Sequence, residues 1–215
     1  ESGEQVHLVG RDNASLSELA NELNSSFTSC DVLEENFSEK IVNDLKDERV
    51  NGLAYCVGSI DLKPLKLTKK SDFMQSFNLN LVSATEIIKS LADNLKASKG
   101  SIVLFSTVAV QQGFPNHAIV SSAKGAVEGL TLALAAEYAP NIRVNCIAPS
   151  LTNSKISNFL LKNEKMAESI AKMHPLKRIG EGEDSASVAK FLLTDESSWI
   201  TGQIFGVDGG RSSVA

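Results

Sequence analysis

Lys124 lies beside Gly125 in an alanine-rich helical stretch, and its type and place make it the first candidate for chemistry. An ammonium there donates hydrogen bonds to ligand hydroxyls; the plainer alternative is a solvated lysine on a helix face. His117 stands seven residues earlier, two helical turns away, so it can share the lysine's stripe and act as an acid near neutral pH. Equally, it precedes the helix and only faces a cleft. Thr107 and Ser106 follow the apolar run Ser101–Phe105, and either hydroxyl could donate to a substrate oxygen. Asn80, within a long helical pattern, either holds a water or satisfies nearby backbone.

These groups need a frame, and hydrophobic patterning supplies one. Val6–Val9 is a short apolar run ended by Gly10. Ser15-Leu16-Ser17-Glu18 has the form of a capping box, with Leu16, Leu19, Ala20 and Leu23 at helical spacing. Strands are expected at 27–30, 50–58, 101–105, 142–147 and 203–207. Helices are expected at 36–45, 72–95, 118–138, 159–173 and 187–193. Only 61–70 resembles a linker. Strands alternating with helices imply parallel pairing through right-handed crossovers. The expected fold class is α/β: a Rossmann-like, doubly wound parallel sheet in three α/β/α layers, a single domain over residues 1–215.

Composition narrows the function. The chain has 215 residues, 42% hydrophobic and 22% charged, which suits one globular domain. A net charge of −5 argues against a general nucleic-acid partner, which needs a basic face. No apolar run approaches the roughly 20 residues of a membrane span, and the first residues lack a signal-peptide pattern. Cys30, Cys56 and Cys146 lack metal-type spacing, so no metal is expected; buried thiols in a reducing cytoplasm are.

The order of landmarks resembles the short-chain dehydrogenase/reductase family over essentially the whole chain. Tyr55-Cys56-Val57-Gly58 stands where the family has Asn-Asn-Ala-Gly, and Asn80-Leu81 matches its helix asparagine. Ser101–Thr107 matches the strand ending in a catalytic serine, with Thr107 in the serine's place and Ser106 adjacent. Lys124 matches the lysine of Tyr-x-x-x-Lys. Ile142–Ser150 resembles Ile-Arg-Val-Asn-x-Ile-x-Pro-Gly; Pro175–Gly180, Thr201–Gln203 and Asp208–Gly210 resemble the C-terminal signatures.

The resemblance implies an oxidoreductase moving a hydride between a nicotinamide nucleotide and a small carbonyl, alcohol or enoyl substrate. Lys124 would hold the nicotinamide ribose hydroxyls, Thr107 would bind the substrate oxygen, and Asn80 would hold a relay water. The family's tyrosine position is occupied by Val120, which cannot donate a proton. His117 then becomes a candidate acid, as the spacing of His117 and Lys124 also resembles the enoyl-acyl-carrier-protein reductase branch. A silent nucleotide-binding sensor or oligomer subunit, and a purely structural protein, are the competing readings.

Gly10-Arg11 follows the second family strand. Arg11 there favours NADP by pairing with a 2′-phosphate, while Asp12 keeps NAD possible. Asp31-Val32 matches an adenine-contacting pair, although Asp31 can equally cap a helix. Gly58 would let backbone approach the nucleotide, and Pro149, Ser150 and Thr152 would pass the nicotinamide amide. Residues 151–182 should form a flap over the substrate. His174-Pro175 is expected to end the flap's helix, and Glu181, Glu183 and Asp184 to form an acidic loop. The family's first strand and glycine-rich turn are not among these residues. Omitting a mid-sheet strand would leave two buried edges unpaired, so an upstream segment is expected. Family members pair through their long helices, which implies a homodimer or homotetramer.

Overall fold

The computed structural model describes residues 4–46 and 48–214. Glu1–Glu4 resembles the end of the helix that follows the family's first strand; residues 1–3 of it lie outside that range, and Glu4 is not helical.

Among the described residues, six parallel strands carry the fold. β1 (His7–Gly10) pairs with β2 (Ser26–Ser29). A second sheet runs β3 (Gly52–Tyr55), β4 (Ser101–Phe105), β5 (Arg143–Pro149) and β6 (Ile204–Val207), in that order. β4 and β5 are buried along most of their length, so neither shows the alternation of a half-solvated strand. Helices cover both faces. α2 (Phe37–Leu45), α4 (Ser83–Ser98) and α5 (Ala118–Tyr138) close one core around Phe37, Ile88, Leu95, Ile102 and Leu104. α8 (Gly182–Leu193) closes the other over Val103, Ile147 and Leu192. The three-layer α/β/α expectation holds.

The sheet is divided. β1 and β3 are edge strands of separate ladders, and both line one cavity of about 2460 Å³. That exceeds an ordinary ligand pocket of roughly 300–1,000 Å³, because it joins two spaces. One is the gap between the two edges; the other is the cleft at the carboxyl ends of β4 and β5.

Several element boundaries differ from expectation for local reasons. Asp12, not Ser15, caps α1 (Asn13–Leu23), its carboxylate accepting from Ser15 N at 2.9 Å. The helix expected at 72–95 begins as α3 (Lys70–Phe77), passes through a π turn at Asn78–Val82, and continues as α4. The helix expected at 159–173 breaks into α6 (Asn158–Leu161) and α7 (Glu164–Lys172), because the Asn163 side chain caps the second piece. Glu181, Glu183 and Asp184 are not a loop but the start of α8: Asp184 accepts from Glu181 N at 2.8 Å and pairs with Arg178 at 2.6 Å.

α5 corrects another expectation. Its 21 residues are long and apolar enough to cross a membrane by length and composition. Its buried face nevertheless packs on β4 and β5 and carries Lys124, as a core helix of an α/β layer does.

Candidate active site

The strand ends and three helices bring the candidate residues to one cleft. Lys124 is 8% exposed, and its Nζ donates to the carbonyl of Phe105, the last residue of β4, at 2.8 Å. This places the ammonium at the carboxyl edge of the sheet, two residues from Thr107. Burial pushes Lys124 down to about 8. The neighbouring Cys146 thiol is itself pushed up to about 12, first by burial, so it stays neutral and gives the ammonium no counter-charge.

Asn80 meets the lysine from the opposite helix. It is fully buried, and its Nδ2 donates to Ser76 O at 2.8 Å. Its Oδ1 has no partner. A buried acceptor left bare costs about 1–3 kcal/mol, so a ligand or water is needed there. The π turn sets this orientation, a single-turn widening of the kind found at functional sites. Gly58 closes the triangle: a Cβ on it would lie 2.9 Å from Asn80 Oδ1 and 3.1 Å from Lys124 Nζ. Only glycine leaves that point open, with an amide oxygen and an ammonium on either side of it.

Thr107 caps a short 3-10 turn, its Oγ accepting from Ala109 N at 3.3 Å, which leaves its proton to donate into the cleft. Ser106 does not serve as the alternative. Its hydroxyl donates to Glu128 Oε1 at 2.7 Å, beneath α5. His117 precedes α5 without capping it. Its Nδ1 bonds the Pro115 carbonyl at 2.8 Å, Phe114 meets its ring at 5.3 Å, and it lines the cleft with Val120 and Lys124. Val120 is buried on the same helix face.

On the β1 side, Arg11 lies 3.7 Å from Asp31 Oδ2 and is largely exposed. Asp12 is committed to capping α1, and the backbone N–H of Ser15 holds its carboxyl below the ordinary value. Its Oδ1 is thereby engaged at the helix terminus. Asp31 does not cap α2, whose N-cap is Asn36; its Oδ1 accepts from Leu33 N at 3.0 Å. Val32 and Val57 pack against the main core, which leaves their backbone for any ligand. Gly10 would meet only a leucine side chain at 3.5 Å if it carried a Cβ, so close approach does not require glycine there. Cys56 is exposed on the cleft.

β5 delivers Pro149 and Ser150 to the same opening, and Thr152 follows. The segment 151–182 closes on itself where Thr152 bridges Gly180. One functional group was not foreseen. His174 does end the flap's helical segment, but it is also 2% exposed, with Nε2 2.8 Å from Ser150 Oγ. The partners are 24 residues apart, so no local pattern could have paired them.

A buried lysine, a bare asparagine oxygen and the Thr107 hydroxyl thus meet at the carboxyl ends of parallel strands, where open α/β sheets place their ligand crevices. A family model described as enoyl-(acyl carrier protein) reductase matches residues 1–212. The chain is 34% identical to a tropinone reductase homologue of Arabidopsis thaliana, over 97% of this chain and 83% of that one. A short-chain type dehydrogenase/reductase from Mycobacterium ulcerans superposes with a TM-score of 0.90 at 27% identity, covering 98% of this chain and 82% of that one. ElxO with NADP bound superposes with a TM-score of 0.88 at 28% identity, covering 97% and 89%. The chain belongs to the short-chain dehydrogenase/reductase family of oxidoreductases.

Proposed function

We propose that the protein transfers a hydride between NADP(H) and a small carbonyl, alcohol or enoyl substrate. The observation that carries this reading is the convergence of Lys124 and the bare Asn80 oxygen over Gly58 at the end of β4. That cradle suits a ribose hydroxyl accepting from the ammonium, with a water held on the amide oxygen behind it. Lys124 would hold the nicotinamide ribose, Asp31 and Val32 the adenine end, and Pro149 to Thr152 the nicotinamide amide. Bound there, the nucleotide supplies or accepts the hydride. Thr107 donates to the substrate oxygen and fixes the reacting carbon. Asn80 holds a water against Lys124, and His117 is the candidate acid from the sequence. NADP is favoured over NAD because Arg11, although 3.7 Å from Asp31 Oδ2, is largely exposed and keeps further guanidinium donors for a 2′-phosphate. ElxO, a structural relative, binds NADP.

The reading is tested by NADPH fluorescence titration, followed by NADPH oxidation against a panel of ketones and enones. Arg11→Ala should weaken NADPH binding about tenfold, the low end for one charge-assisted contact at an exposed site, and leave NADH unchanged. Equal losses for both nucleotides would remove the NADP assignment. We also propose a homodimer or homotetramer through the long helices, where Leu132 on α5 and Val82 on the π turn are exposed. A monomer by light scattering would contradict it.

A further inference from the structure

Val120 leaves the tyrosine's place, one helical turn before Lys124, without a proton donor, yet a hydride transfer to or from a carbonyl carbon must be matched by a proton at its oxygen. His174 and Ser150 are arranged for that task. The His174 ring is buried, and its Nδ1 lies 2.9 Å from the Ile170 carbonyl. A carbonyl only accepts, so Nδ1 carries the proton and the neutral ring keeps Nε2 bare. Ser150 Oγ, 2.8 Å from that nitrogen, therefore donates to it. Ser150 itself is only partly buried and lines the cleft with Thr107, Val120 and Lys124. A hydroxyl with its own proton turned toward an imidazole presents its lone pairs outward, ready to accept a proton.

We propose that Ser150 and His174 form the acid–base pair of the cleft, with Ser150 touching the substrate oxygen and His174 acting through it. This rests on the oxidoreductase reading. In alcohol oxidation the carbinol C–H bond breaks, with its hydride passing to NADP. The O–H proton passes to Ser150 Oγ while the serine's own proton passes to His174 Nε2. The products are ketone, NADPH and an imidazolium, which returns its proton to solvent. Reduction is the reverse, from protonated His174.

The surroundings suit a ring that changes charge. Asp208, held low despite its burial by hydrogen bonds from Ser212 and Gly210, is an anion close enough to His174 to be stabilised by its charge. Arg211 donates to the Met173 carbonyl and Lys177 to the Lys172 carbonyl, so these cations on either side are tied to backbone. The fold also holds the ring in place. A Cβ on Gly209 would lie 3.6 Å from the His174 Cβ, and the Gly209 carbonyl accepts from Leu176 N at 3.1 Å.

The test has two arms. In the free protein, nitrogen-resolved NMR of the His174 ring at pH 8 should show Nδ1 protonated and Nε2 bare. Ser150→Ala should shift the Nε2 resonance alone. A ring with Nε2 protonated and Nδ1 bare overturns the proposal before any substrate is known. In the second arm, NADP-linked oxidation of a secondary-alcohol panel is followed against pH. Wild-type kcat should fall toward acid, because only a bare Nε2 can take the serine's proton. His174→Gln should lose that limb and about 100-fold or more in kcat, the usual weight of a positioned acid–base group. Ser150→Ala, a smaller change, should lose a similar factor in kcat with the fold kept. A preserved acid limb in His174→Gln, or full turnover in Ser150→Ala, would refute the pair. Failure of wild type to bind NADPH refutes instead the reading on which the pair rests, and the binding titration detects it separately.

Discussion

Lys124→Met should raise the melting temperature of the nucleotide-free protein while abolishing turnover. The fold buries this ammonium with one carbonyl partner and no anion, so its charged form is disfavoured relative to the unfolded chain. Its value falls from 10.5 to about 8 on folding. Below pH 8 both states hold the proton, and the full penalty opposes folding. Between about 8 and 10.5 the folded state releases the proton first, the unfolded state holds more protons, and wild-type stability rises with pH. Methionine has a similar length and no charge. Allowing for the lost bond to Phe105, the variant should gain on the order of 2 kcal/mol at pH 7. That is about 4–8 °C for a chain of this size. The gain should shrink as pH rises from 8 to 10. Calorimetry across that range checks it, and a melting temperature lowered by the substitution at pH 7 would contradict it. NADPH binding should fall by at least about tenfold through loss of a charge-assisted contact. Stability and binding thus respond oppositely to one substitution, as expected of a residue kept for function against a folding cost.

How much of this was legible in the residues depends on the range of the signal. β4 and α5 fall on their expected residues, because a five-residue apolar run and an alanine-rich stretch stopped by Pro140 are local patterns. The placement of Lys124 and Thr107 at one sheet edge followed from strand and helix order, which is why it survives contact with the structure. Reach failed where side chains choose between equally near partners. Ser106 and Thr107 are adjacent hydroxyls at the cleft, yet one donates to Glu128 on α5 while the other accepts a backbone N–H and keeps its proton. Ser15 was the expected cap, and Asp12 takes that role by accepting a backbone N–H. The π turn at Asn80 has no compositional signature, and the flap's break at Asn163 rests on a single side-chain cap. The Ser150–His174 contact depends on the flap folding back across β5 and β6, a tertiary event that no spacing encodes.

Val120→Tyr should have its largest effect where the proposed pair is disabled. Val120 lies one helical turn before Lys124, and side chains four apart on a helix meet on one face. A tyrosine there would lie beside the ammonium, which favours the phenolate and makes the phenol a better acid. The added ring costs about 1–3 kcal/mol if the site is tight. The cavity opens on that side, so folding should survive. In wild type the gain in kcat should be small, because a proton path already exists. In Ser150→Ala the same tyrosine should restore turnover by about 100-fold or more, the range of general acid catalysis. Equal effects in both backgrounds would mean that Ser150 moves no proton. An inert wild type made active by tyrosine would mean that the native cleft binds nucleotide silently. The asymmetry between backgrounds is the informative quantity, since a change in folding alone would act on both alike. It separates a fold that holds its cation and amide independently of the acid from one in which the acid has been lost.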